Sequence, residues 1–350
     1  MSGTRSIPPF SVVTGTQVRR VLAGDERAVT AVVERAYRTH GAGDTVNPPS
    51  YFLRFPDRPS ARIIALPASL GDQSDMDGVD GVDGLKWIGS FPDNVEAGIP
   101  RASAVLILND RLTGYPFAVM EASIVSASRT AASAALAAGW LTRDRGRPPR
   151  IGFFGTGLIA RYIHTYLAAN GWDFAEIGVH DLSVSSLDGF SGYLARTGTG
   201  AEIVRHDSAE ALIKSSDLVV FATVAGTPHV TDLSWFAHNP VVLHISLRDL
   251  APEIVLASTN IVDDVEHCLK AGTSVHLAEQ RAGHREFVHG TLFDVMTGTV
   301  DLPAGRPLVF SPFGLGVLDL AVGRHVHDRL AAEGALTPIP GFFADVTRHG

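Results

Sequence analysis

Ile151-Gly152-Phe153-Phe154-Gly155-Thr156-Gly157-Leu158-Ile159-Ala160 is the stretch on which the fold turns. Its apolar start predicts a buried strand and its end opens a helix, so the glycines fall in a strand-to-helix turn. Gly155 suits the tight turn, Gly157 lets the backbone approach a pyrophosphate, and Ala160 allows the helix to pack closely on the strand. The helix N-terminus, from Thr156 through Leu158 and Ile159, attracts negative charge. Glycines mark turns everywhere, so the motif gains weight only from its surroundings. The next β run, Glu176-Ile177-Gly178-Val179-His180, ends at Asp181. A carboxylate there accepts hydrogen bonds from ribose hydroxyls and repels a 2′-phosphate, which favours NAD over NADP. As an alternative, Asp181 caps a helix beginning at Leu182.

Working outward, β-rich runs alternate with helical stretches: 151–154, 177–180, 218–222, 241–246 and 260–262. That alternation predicts an α/β fold with a Rossmann-type, doubly wound parallel sheet. Ligands sit at the carboxyl ends of such strands, which places Thr223 and Asp249 at the cofactor edge. Thr223 also suits an ordinary cap. Asp249 suits a general base toward water or an amine, or a structural partner of Arg248.

The first third reads differently. A helix is expected over Gln17–His40, then strands over 51–55, 61–66, 85–91, 102–109 and 116–120. The Gly/Asp-rich stretch 71–84 reads as an exposed loop; it lacks the closing glutamate of a calcium site. A long alanine-rich helix spans 121–142, a basic linker follows over 143–150, and a final helix covers 316–333. The expected organisation is an α+β substrate-binding and dimerisation domain, residues 1–125 with 317–350, around a nucleotide-binding domain, residues 126–316.

Lys86 and Arg129, like Asp249, place charge where the pattern predicts burial. Lys86 lies inside Leu85-Lys86-Trp87-Ile88-Gly89-Ser90-Phe91. On an edge strand it would keep the sheet soluble; in a pocket, burial would lower its pKa toward proton transfer near neutrality. Arg129 sits among small residues in Ser126–Ala135, where a buried guanidinium needs an anion, either a protein carboxylate or a substrate carboxylate held in a bidentate fork.

The composition excludes several classes. At 350 residues, 45% hydrophobic and 19% charged, the chain can bury a sizeable core. A net charge of −8 offers no footprint for nucleic acid. No apolar run spans a bilayer, and the polar start does not resemble a signal peptide. The single cysteine, Cys268, precludes an internal disulfide, reads as a packed helical side chain, and fits a cytoplasmic location. No metal site is expected.

The ordered series Lys86-Trp87-Ile88-Gly89-Ser90-Phe91-Pro92-Asp93-Asn94, Ala104–Asp110, Thr113-Gly114-Tyr115-Pro116 and Arg129-Thr130-Ala131-Ala132 resembles the ornithine cyclodeaminase/mu-crystallin family over nearly the whole chain. The resemblance implies an NAD-dependent oxidoreductase, a homodimer acting on a small amino-acid-derived substrate. It makes Lys86 and Asp249 catalytic, although Arg248-Asp249-Leu250-Ala251-Pro252 departs from the family's usual Asp-x-Pro. Arg129 and Arg54 would bind substrate carboxylates, with Arg62 a further candidate, and Phe313 and Gly314 would return toward the nicotinamide or simply form a turn. Ser90–Asn94, Met120-Glu121-Ala122-Ser123 and Phe310–Gly316 are most similar to members that oxidatively cleave N-(2-amino-2-carboxyethyl)-L-glutamate. Those members release 2,3-diaminopropionate and 2-oxoglutarate for siderophore or antibiotic assembly. Cyclodeaminase, alanine dehydrogenase and ketimine reductase activities, or a non-catalytic nucleotide-binding role, are the alternatives.

Overall fold

The computed structural model describes residues 6–72 and 81–344. The stretch expected to form a Gly/Asp-rich loop falls mostly outside those residues. The chain forms two compact units, Met1–Arg129 with Leu315–Gly350 and Thr130–Gly314. It passes from one to the other within the helix Ser123–Leu141.

In the first unit, the strands Arg58–Leu70, Val82–Ser90, Ala102–Asn109 and Pro116–Glu121 form successive antiparallel pairs at the centre of a sheet. Tyr51–Phe55 and Thr45–Val46 pair with the first of these, and Ser11–Val13 runs parallel to the last. Side chains alternate between faces, so Leu66, Lys86, Leu106 and Met120 form one row across four strands. All four are buried. The helix Gly316–Ala332 covers this face, and Gly323 permits the close approach, since any side chain there would collide with Leu106. The opposite face presents Tyr51, Trp87 and Val105 to solvent. The helix expected over Gln17–His40 is two helices, Gly15–Leu22 and Glu26–Gly41. Gly24, at φ +84°, breaks it between them.

The second unit is the doubly wound α/β fold. Its eight strands are all parallel, in the order Glu202–Arg205, Glu176–His180, Arg150–Phe154, Leu218–Phe221, Val241–His244, Leu308–Ser311, Thr259–Val262 and Val288–Thr291. Strand order reverses between Arg150–Phe154 and Leu218–Phe221, and in such sheets the crevice at that point takes the ligand. Three strands of this sheet are not among those expected from the sequence: Glu202–Arg205, Leu308–Ser311 and Val288–Thr291.

Candidate functional site

At the reversal point Gly155 adopts φ +76°, and a Cβ there would stand 2.6 Å from the carbonyl oxygen of Ala222. Only glycine fits. Gly157 caps the helix Leu158–Ala169 without a side chain, and a Cβ on it would meet nothing within 4 Å. The first amides of that helix, including those of Leu158 and Ile159, therefore border open space, the condition for an anion. Ala160 is fully buried against the sheet.

Asp181 does not cap the following helix; Ser183 does. Instead the Asp181 carboxylate accepts from Thr156 N at 2.7 Å, Thr156 Oγ1 at 2.9 Å and Ser183 N at 2.8 Å. It ties the glycine turn to the next strand end, and with about four lone-pair positions it retains capacity for a ribose hydroxyl. Leu158, Leu182 and Val224, which follow three neighbouring strands, are exposed apolar side chains. Open amides, a carboxylate and uncovered apolar groups on adjoining strand ends fit the phosphates, ribose and base of a dinucleotide.

Asp249 is fully buried among donors at the same sheet edge. The Thr223 hydroxyl donates to Oδ1 and Ser246 Oγ donates to Oδ2 at 2.5 Å. His229 Nε2 lies 3.0 Å from Oδ1 and His244 Nε2 lies 3.2 Å from Oδ2. Burial pushes this carboxyl up, but the hydrogen bonds from His229, His244 and Ser246 hold it well below the usual carboxylate range. Arg248 donates to the carbonyls of Gly272 and Ala271. His244 is itself braced by Ser311 Oγ at 3.1 Å.

The Phe313–Gly314 turn is built rather than incidental. Phe313 N and Gly314 N both donate to the buried Asp263 carboxylate, at 2.9 and 2.6 Å. The Cys268 thiol lies 3.1 Å from the same carboxylate, and burial pushes it up, so it is a packed side chain rather than a nucleophile.

The first unit carries the other cluster. Lys86 sits on an interior strand, 2% exposed, which removes the edge-strand explanation. Its Nζ donates to Asp319 Oδ2 at 2.6 Å and Ser126 Oγ at 3.3 Å. Arg129, one helical turn beyond Ser126 and 12% exposed, donates Nε to Asp319 Oδ1 at 3.2 Å. Burial pulls the Lys86 ammonium down to about 8, with Asp319 opposing and Arg129 reinforcing that shift. Two cations share one buried carboxylate, which leaves the cluster short of negative charge.

Register places further arginines on the Lys86 face. Ser90 lies four residues along the same strand and is opposite Arg62, which is opposite Arg54. Arg62 and Arg54 are therefore cross-strand neighbours on that face. Arg101, passed over in the sequence, donates Nη1 to Ser90 Oγ at 3.3 Å, and burial lowers its guanidinium pKa. Asp319 was also passed over, although a lone carboxylate in the apolar run Gly316–Val322 was a readable signal. Among the described residues no group of three or more His, Cys, Asp or Glu could hold a metal ion.

Residues 13–334 match the ornithine cyclodeaminase/mu-crystallin family. The chain belongs to that family. Among similar members, the alanine dehydrogenase of Archaeoglobus fulgidus is 28% identical over 95% of this chain and 98% of its own. The N-((2S)-2-amino-2-carboxyethyl)-L-glutamate dehydrogenase of Staphylococcus aureus is 28% identical over 86% of this chain and 89% of its own. An archaeal alanine dehydrogenase dimer solved with bound NAD superposes with a TM-score of 0.81 at 26% identity, covering 95% of this chain and 99% of that one. The ornithine cyclodeaminase/mu-crystallin fold thus spans both units. Among the described residues no helix is long and apolar enough to cross a membrane.

Proposed function

We propose that this protein is an NAD-dependent oxidoreductase acting on the CH–NH group of an amino-acid derivative. Its substrate is N-(2-amino-2-carboxyethyl)-L-glutamate, cleaved oxidatively to 2-oxoglutarate and 2,3-diaminopropionate. The observation that carries the substrate choice is the cationic face of the first unit: Arg129 beside Lys86, then Arg62 and Arg54 facing one another further along the sheet. An alanine-sized substrate brings one carboxylate, whereas the glutamate adduct brings three.

Gly155, Thr156, Gly157, Leu158 and Ile159 would hold the pyrophosphate of NAD and Asp181 its adenosine ribose, with Thr223, Phe313 and Gly314 on the nicotinamide side. Bound NAD supplies the hydride acceptor. Lys86, neutral above about pH 8, takes a proton from the substrate nitrogen. Arg129, Arg54 and Arg62 orient the carboxylates, and such positioning contributes several kcal/mol to rate. Asp249 keeps its negative charge at the carboxyl ends of the parallel strands.

A second copy of the chain would cover the exposed sheet face around Trp87 and Val105, giving a homodimer. The similar archaeal enzyme is a dimer. The product would feed assembly of a siderophore or antibiotic. The test is NADH formation from the glutamate adduct, L-alanine and L-ornithine run in parallel. The adduct should give the highest kcat/KM, and a preference for L-alanine or release of proline from L-ornithine would overturn the substrate assignment.

A further inference from the structure

Asp249 is placed as a base would be, yet its surroundings leave it little basicity. Every oxygen of this fully buried carboxylate already has donors or a histidine nitrogen against it, and a carboxylate so held gives up its proton readily and regains it reluctantly. The member of this network most open to solvent is His229. Its side chain is 42% exposed while Asp249 is 0% exposed.

The ring is held firmly. His229 N and Val230 N both donate to the backbone oxygen of Asp249, at 3.0 and 2.9 Å, and Ala251 N donates back to Val230 O at 2.9 Å. With the backbone pinned and Nε2 set 3.0 Å from the carboxylate, Nε2 carries the proton. That leaves the Nδ1 lone pair outward, with no hydrogen-bond partner among the described residues. His229 lies in the loop after Leu218–Phe221, at the sheet edge that takes ligands in this fold. A buried carboxylate fixing the tautomer of an exposed imidazole is the arrangement that makes histidine an effective proton acceptor and donor.

We propose that His229, oriented by Asp249, is the acid–base residue for water addition to the substrate imine; Asp249 is its positioning residue and not itself the base. This deepens the oxidative-cleavage assignment and rests on it. The water oxygen bonds to the imine carbon as its proton passes to Nδ1. The nitrogen then takes that proton. The remaining hydroxyl proton then passes to Nδ1 as the carbonyl forms and the C–N bond breaks, and the departing amine, which keeps the electron pair, takes that proton back from Nδ1. Nothing is oxidised or reduced in these steps, and His229 ends as it began.

The test uses His229→Gln and His229→Gly in the intact protein, with the glutamate adduct and L-alanine side by side, since either imine needs water. Rapid mixing reads the first-turnover NADH burst, and quenched samples read 2-oxo acid release. The expected result is a burst within about threefold of wild type and release slowed about 100-fold. Imidazole in the buffer should partly restore release in His229→Gly, which a merely structural role does not predict. Unchanged release, or burst and release slowed equally without imidazole rescue, would overturn the proposal. NADH from L-alanine but none from the adduct would overturn the substrate assignment instead, and the His229 test is then read on L-alanine.

Discussion

Lys86 Nζ and Asp319 Oδ2 stand 2.6 Å apart, one in the centre of a sheet and the other on the helix that covers it. Lys86 interrupts a buried row of Leu66, Leu106 and Met120, and the helix supplies the single carboxylate that makes its burial tolerable. Because Arg129 draws on the same carboxylate, Asp319 sets both the proton affinity of Lys86 and the position of the guanidinium.

A pH dependence follows. Lys86 accepts a proton only when neutral, and burial pulls it down to about 8. In the amine-oxidising direction kcat/KM should therefore rise as pH climbs through about 8 and level off above it. Asp319 favours the charged form, so Asp319→Asn should move that midpoint to lower pH. A midpoint that rises or stays fixed in the variant would separate Lys86 from the limb.

The same substitution leaves the buried Lys86 and the largely covered Arg129 without a counter-charge. Breaking a buried pair from one side costs about 3–5 kcal/mol, so Asp319→Asn should lose roughly that in urea unfolding. Adding Lys86→Met should recover part of the loss, because the two sites are coupled.

At the nucleotide edge, Gly155→Ala forces a side chain into a left-handed backbone position against Ala222. The strain, about 1–3 kcal/mol, should weaken NADH binding at least about tenfold in a fluorescence titration. Asp181→Ser should narrow the preference for NADH over NADPH, since it removes the charge that repels a 2′-phosphate.

Val105→Glu places a charge on the exposed sheet face beside Trp87. Sedimentation should show the wild type as a dimer and the variant as a monomer of unchanged helical content. A wild-type monomer would remove this face as an interface.

Much of this was legible in the sequence. The glycine turn, Asp181 and the alternation of strands and helices led to the parallel sheet because each carries a local physical demand that few residues satisfy. Lys86 and Arg129 stood out as charges in apolar or small-residue runs. Asp319 is a charge in an apolar run of the same kind, but its pairing was not legible, because Lys86 and Arg129 lie far away in the chain and only the packed helix brings them together. His229 had no periodic or motif signal; its meaning depends on a backbone bridge to Asp249. The break at Gly24 was hidden because the apolar spacing of Val18–Val33 runs straight through it.

The most direct measurement of the central claim is the product balance of purified protein given NAD and N-(2-amino-2-carboxyethyl)-L-glutamate. One NADH, one 2-oxoglutarate and one 2,3-diaminopropionate per adduct consumed is the predicted result. Absence of NADH and of both products, under conditions where NADH binds, would contradict it.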